Sequence, residues 1–396
     1  MPKKRILAVD VFRGATIALM ILVNNPGTWS AIYPPFEHAE WFGVTLTDWV
    51  FPFFLFIVGT SIVLAYHKRP TDNFHTWKRI FSRTLKLLLL SWFLAGFTVH
   101  FPFFKNLSYL RIPGVLFRIG LVFFSSALIF LVFKWIWRKY SFRAGLSFLI
   151  GLFLLIILGY WYIMIGHDQL ATSIPNEQLI SKKLNKTDNL VSRWDRKILG
   201  INHMWYHWDP ESGKKVRGDY DPEGLLSTVP AIATAILGMF LGLILIRIKN
   251  PFKKISWFLL LGMGLLVTAY LFHFVFPYSK KLWTSSFVLY TGGWAFLVFT
   301  VIYLLVDFLH LKKPFFPLQA LGMNAIAIFV LNGLIAKSFY QIKIQGTSLH
   351  AWLFKHTWHS WIDIPEFASL LYALTVVLFY TLLAIYLHKK KIFIKV

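Results

Sequence analysis

The sequence predicts an all-α fold, a polytopic membrane bundle of about ten transmembrane helices with a small extracytoplasmic cap inserted near its middle. Three observations lead there. Hydrophobic residues make up 57% of the chain and charged residues 15%, against about 25% charged in soluble domains. Apolar runs of roughly 18 residues or more recur from end to end, long enough for an α-helix to cross the hydrocarbon core. Basic clusters recur between alternate runs, a pattern that orients membrane proteins. A β-barrel would instead show alternating segments of about ten residues.

The apolar runs centre near Met20, Ile57, Leu90, Phe124, Leu155, Ala235, Leu265, Leu297, Phe329 and Leu378. Lys3-Lys4-Arg5, Lys68-Arg69 with Lys78-Arg79-Arg83, Lys134 to Arg143, Arg247 to Lys254, Lys312-Lys313 and Lys389-Lys390-Lys391 all fall on one side. The positive-inside rule makes that side cytoplasmic and puts both termini there. No small-residue cleavage site precedes the first long run, so that run is expected to be retained as a span. The net charge of +24 resides in these clusters, which suits anionic membrane lipid and argues against nucleic acid as a partner. The chain has no cysteine, which removes disulfides, thiolate metal sites and a cysteine acyl intermediate. No motif for a bound metal is present.

Residues 1–165 are expected to hold the first five spans, 166–224 an extracytoplasmic insert, and 225–396 the last five. The insert is far longer than an ordinary loop. It carries Trp194, Trp205 and Tyr220, more aromatic residues than a disordered tether would hold.

The polar segment after the first run concentrates the chemistry. Asn24 and Asn25 lie just before Pro26, which removes a backbone donor and frees the Leu22 carbonyl. One reading has the amides satisfy loosened backbone groups; the other has an amide donate to a developing oxyanion. The two readings are compatible if the pair divides the work. His38 can act as a general base or nucleophile near neutral pH, or can be a simple loop hydrogen-bonder. Glu37 and Glu40 flank it. Asp48 opens the second run and either caps that helix or holds the imidazole tautomer. Arg118 lies about a turn inside the fourth run, where it needs a carboxylate, a carbonyl or a phosphate, or else snorkels to the interface. Asp221 and Glu223 open the sixth run; an acidic rim there would attract an amine, and an acidic helix N-terminus is the plainer reading. Asn324 is one more polar group inside a span.

At these residues the chain resembles the heparan-α-glucosaminide N-acetyltransferase family and its bacterial relatives. The matching runs are Leu7 to Gly14, Val23-Asn24, His38-Ala39-Glu40-Trp41 with Gly43, and Asp48 to Phe53. They continue through Arg111 to Leu116, Asp221 to Gly224, Lys281-Leu282-Trp283-Thr284 and Gly322 to Ala325, in order over essentially the whole chain. The resemblance implies acetyl transfer from cytoplasmic acetyl-CoA, across a bacterial inner membrane, to the amine of a glucosamine-type sugar or glycan. It places the catalytic His at His38 and the catalytic Asn at Asn24, with Asn25 a second choice. Asp48 is the expected third catalytic residue. Glu40, Asn25, Asp221, Glu223 and Asn324 are the expected acceptor contacts. Arg13, Arg79, Arg83 and Arg118 are the expected contacts to acetyl-CoA, since its anionic head suits basic side chains. A homodimer is a candidate assembly, and the sequence leaves the oligomeric state open. A secondary transporter for an amino sugar is the alternative reading, because a polar midplane suits a carrier as well.

Overall fold

The computed structural model describes residues 6–71, 73–171, 174–209 and 214–394. The Lys3-Lys4-Arg5 cluster lies outside the described residues. The long helices are α1 (Leu7–Asn24), α2 (Val50–Tyr66), α3 (Phe74–Gly96), α4 (Val115–Lys139) and α5 (Phe142–Trp161). A wider five-residue turn, Tyr162–Gly166, carries α5 into α6 (His167–Ala171). The helix therefore runs past residue 166, and the insert begins only after Ala171. Within the insert lie α7 (Asn176–Lys183), α8 (Leu190–Leu199) and an antiparallel hairpin of β1 (Tyr206–Asp209) and β2 (Lys214–Arg217). Next come α9 (Thr228–Arg247), α10 (Pro251–His273), α11 (Ser285–Tyr303), α12 (Phe316–Met323) and α13 (Ala325–Gln341). A small hairpin of β3 (Lys343–Ile344) and β4 (Thr347–Ser348), then α14 (Leu349–His356), leads into the last helix, α15 (Pro365–Lys389).

Local chemistry starts several of these helices. The side chains of Asn73, Ser141 and Asn250 accept backbone N–H bonds at the starts of α3, α5 and α10, satisfying donors that have no partner within the helix. Pro251 opens α10, where its missing N–H costs nothing. The start of α1 is held differently: the Leu7 and Ala8 amides donate to the Asp307 carboxylate at 3.3 and 2.7 Å.

Among the described residues, eight helices are long and apolar enough to cross a membrane, and α12 with α13 makes a ninth if that pair, bent by 80°, is one span. α3 carries too many basic residues to join them on composition, yet its neighbours require it to run the length of the bundle. The start of α3 lies where α2 ends, with Thr76 bonded to the Pro70 carbonyl. Its last turn meets α13, where Lys337 donates to the Leu94 carbonyl. α4 returns along it, since Lys134 at its far end donates to the Tyr66 carbonyl at 2.9 Å. Counting α3 as one pass and α12 with α13 as another, the described residues make ten end-to-end passes, with both described termini at one end, here the Leu7 end, and the insert at the other, the His38 end.

Close backbone contacts hold the passes together. A Cβ on Gly14 would lie 1.7 Å from the Leu318 carbonyl oxygen, and one on Gly322 would lie 1.9 Å from that of Asp10. Gly59 and Gly238 make the same kind of approach between α2 and α9, and the Thr60 hydroxyl donates to the Gly238 carbonyl at 2.9 Å. Lipid tails are as apolar as the side chains, so such close packing supplies the association that water would otherwise drive. α10 and α15 keep only 17% and 22% of their most apolar stretch buried, an outward face that suits lipid.

Candidate active site

The loop between α1 and α2 folds back so that His38 meets Asp48. Nδ1 of the ring lies 2.7 Å from Asp48 Oδ1. Asp48 is 1% exposed, and its other oxygen accepts from the Ala39 and Thr45 amides at 3.2 and 3.1 Å. A carboxylate so fixed makes Nδ1 the protonated nitrogen, and Nε2 then carries the ring's lone pair, with Lys280 Nζ 3.2 Å from it. Asp48 therefore supports the imidazole, and no side chain caps the start of α2. The loop itself is pinned from outside: Gly43 donates to the Tyr278 carbonyl at 2.9 Å, and the Trp41 indole donates to the Leu184 carbonyl of the insert at 2.7 Å.

A third group joins this pair from the α10–α11 connection. Lys280 Nζ lies 3.0 and 3.2 Å from the two ring nitrogens of His38 and 3.6 Å from Asp48 Oδ1. Lys281 donates to the Glu40 carbonyl. The His38 ring is crowded on its protein side, and desolvation lowers its pKa below 6.5; Asp48 pulls it up, and Lys280 pushes it down again. Burial likewise lowers the Lys280 pKa, against the pull of Asp48 and Glu223. Lys281 falls to about 8 through burial and neighbouring lysines. Sequence reasoning named neither lysine as a site residue. The available signal was a pair of lysines in a short loop on the side that the charge pattern leaves poor in base.

The Asn pair divides as the two readings allowed. Asn25 is buried and donates to the Ile21 carbonyl at 2.7 Å and to Asn332 Oδ1 at 3.1 Å. It closes the end of α1, through the Ile21 carbonyl rather than that of Leu22, and is spent on structure rather than offered to an acceptor. Asn24 is exposed at the same end of the helix, with no hydrogen bond to its amide among the described residues.

Other expected contacts are corrected by burial or by position. Arg111 bridges Asp221 at 3.0 and 2.6 Å and Glu223 at 2.5 Å. Asp221 is 1% exposed and also accepts from the Trp205 amide, so the pair forms an internal clamp and not an open acidic rim. Burial pushes the Arg111 pKa down, but the two carboxylates outweigh it and hold the guanidinium charged. Arg118 lies beneath this clamp, fully buried, donating to the Gly224 carbonyl at 3.0 Å and to Ser227, with its guanidinium 5.0 Å from the Trp283 ring. It is therefore at the His38 end, separated along the bundle from Arg13, Arg79 and Arg83. Arg13 bonds Ser61 at 2.8 Å, and Arg83 lies 4.6 Å over the Phe123 ring with its buried Nε lacking a partner among the described residues. Asn324 sits at the α12–α13 bend, where it donates to the Ile392 carbonyl and accepts from the Ile394 amide. It anchors the C-terminal segment at the Leu7 end, away from any acceptor at His38. Glu40 is exposed, and its backbone carbonyl accepts from Lys281.

A family model described as a domain of unknown function (DUF5009) matches residues 5–185. Human heparan-alpha-glucosaminide N-acetyltransferase is 31% identical over 385 residues, covering 87% of this chain and 55% of the human protein. The mouse protein of the same name is 28% identical over 428 residues, covering 99% of this chain and 60% of its own length. The chain is a distant relative of the heparan-alpha-glucosaminide N-acetyltransferases. It spans somewhat more than half the length of these N-acetyltransferase relatives. The human match covers nearly all of this chain, far more than the His38 loop alone.

Proposed function

We propose that the protein is a transmembrane N-acetyltransferase that moves acetyl from cytoplasmic acetyl-CoA to the amine of a glucosamine-type sugar on the extracytoplasmic side. The observation that carries this reading is the 2.7 Å contact between His38 Nδ1 and the buried Asp48, in a chain without cysteine. Such a pair leaves Nε2 as the base. The amine nitrogen attacks the thioester carbonyl, the ammonium proton passes to Nε2, and the C–S bond breaks to release the thiol. The Lys280 ammonium beside the ring and the exposed Asn24 amide at the same end of the bundle are the donors proposed for the tetrahedral oxyanion. At the Leu7 end the unpartnered Arg83 Nε, with Arg13 and Arg79, suits the phosphates of acetyl-CoA.

The test is thiol release by the purified protein given acetyl-CoA and glucosamine. His38→Ala is expected to lower kcat by about 10²–10⁴-fold, the usual weight of a positioned base. Equal release by the variant and the wild type would remove His38 from the mechanism. Uptake of labelled glucosamine into liposomes without acetyl-CoA would instead favour a carrier.

A further inference from the structure

A second concave region lies at the same end of the bundle as His38, and nothing in the acetyl-transfer site uses it. The chain leaves α1 at Asn24 and at once forms one wall with residues 27–31; α14 and the ends of α13 and α15 form the others. The space measures about 370 Å³, at the small end of ligand-binding cavities, which run about 300–1,000 Å³.

Its walls are built in advance. Gly27 and Thr28 amides donate to the Ser369 carbonyl and hydroxyl, each at 3.2 Å. A Cβ on Gly27 would lie 2.4 Å from the Phe354 ring, so only glycine permits this approach. Trp29 donates its indole N–H to the Tyr340 hydroxyl at 2.8 Å, while its ring remains 57% exposed. His350 is 7% exposed, stacks on Tyr340 with centroids 4.5 Å apart, and lies 3.1 Å from the Pro26 carbonyl through Nε2. A carbonyl partner requires Nε2 to carry the proton, so the neutral ring keeps Nδ1 as an acceptor. Burial favours that neutral form.

Rigid aromatic faces beside a few fixed polar groups suit a ligand that is itself flat, partly apolar and rich in hydroxyls. We propose that this cavity, with Trp29, Tyr340 and His350 as its working walls, binds a sugar ring of the acceptor beyond the glucosamine that receives acetyl. The identity of the acceptor rests on the acetyl-transfer reading; the presence of a saccharide site does not. Ala31 at the cavity and His38 are seven residues apart, at most about 25 Å of extended chain, so one short oligosaccharide can occupy both places.

The experiment uses the full-length protein in a detergent without a sugar head group, with β-1,4-linked glucosamine oligomers of one to four units. In the wild type, kcat/KM for acetylation is expected to rise about tenfold from monomer to tetramer, the scale of one good aromatic contact. Trp29→Ala should abolish that rise while leaving the monomer rate unchanged, and Trp29→Phe should restore part of it. A flat length dependence in the wild type, or equal losses on monomer and tetramer, overturns the proposal. If no oligomer is acetylated, the functional reading fails, and calorimetric titration with the tetramer decides the cavity alone. Binding that is lost in Trp29→Ala supports the site, and binding that is absent or unchanged refutes it.

Discussion

In two pairs of neighbouring side chains, Asn24 with Asn25 and Lys280 with Lys281, the members differ in what they touch: Asn25 and Lys281 bond backbone carbonyls, and Lys280 meets the His38 ring. Asn25 donates to Ile21 and Asn332 inside the bundle. Asn25→Ala leaves those acceptors unpaired and is expected to cost about 1–3 kcal/mol of stability, read as a lower midpoint of thermal unfolding in detergent. Asn24→Ala should leave that midpoint in place and lower kcat by about 10²–10³-fold if its amide serves the oxyanion. The opposite pattern would exchange their roles. Lys280 bears on pH. Under the proposed mechanism His38 is the base and acts only when neutral, so the acid limb of kcat/KM reports its pKa in the free protein. Burial and Lys280 lower that pKa, and Asp48 raises it. The wild-type limb is therefore expected below pH 6.5, and Lys280→Met should move it to higher pH because only the lowering charge is lost. An unmoved limb would show that the lysine does not face the ring in solution. The contacts around His38 were only half visible in the sequence. His38 and Asp48 stand ten residues apart in a recognisable segment, whereas Lys280 lies 242 residues away and meets the ring only once α10 and α11 are placed.

The elements around the site depend on one ionic clamp. Arg111, just before α4, holds Asp221 and Glu223 at the start of α9, and Asp195 on α8 accepts the Leu225 amide at 2.9 Å. The turn between them is tight, since a Cβ on Gly224 would lie 1.7 Å from Asp195 Oδ2. The cap is thus fastened to two spanning helices through buried charge. Removing one partner of such a set leaves an uncompensated carboxylate, so Arg111→Met is expected to cost about 3–5 kcal/mol. Combining it with Asp221→Asn and Glu223→Gln should recover much of that loss, because the unpaired charges disappear. Proteolysis of the insert in detergent, followed by mass, checks the order wild type, triple variant, single variant. Equal resistance of the single variant and the wild type would show that the clamp does not hold the cap. The residues of this clamp were legible as polar groups at span boundaries. Their burial was not, because an acidic helix start reads the same whether it faces solvent or an arginine from another helix.

At the scale of the whole molecule, composition and charge carried most of the architecture, since lipid selects for long apolar helices and the runs are long. The runs near Leu90 and Phe329 read as spans from the sequence, but the form of those two passes did not. α12 and α13 break at Asn324, whose amide is engaged by the C-terminal segment, a contact no local pattern announces. α3 (Phe74–Gly96) takes Lys78, Arg79, Arg83 and Lys86 into the helix itself, where the charge pattern reads Lys78, Arg79 and Arg83 as part of the segment before it, and its contacts at both ends run it along the bundle. Its crossing decides the sidedness of everything before it, so it is the pass most worth testing. The chain has no native cysteine, and single cysteines can therefore be placed without background. Lys68→Cys lies before α3 and Asn106→Cys after it, both at exposed positions. Thr187→Cys marks the insert, and Lys313→Cys marks the loop between α11 and α12, again at exposed positions. If α3 spans and the Leu7 end is cytoplasmic, as the charge pattern predicts, a membrane-impermeant maleimide should label positions 106 and 187 in intact cells and positions 68 and 313 only after permeabilisation. Labelling of 68 and 106 from the same side would make α3 a surface helix, leave an odd number of crossings, and separate the two termini across the membrane. His38 would then face the opposite side from the insert. The 2.7 Å bond from Trp41 to Leu184 forbids that arrangement, so both outcomes of the labelling bear on whether the loop and cap close over one site.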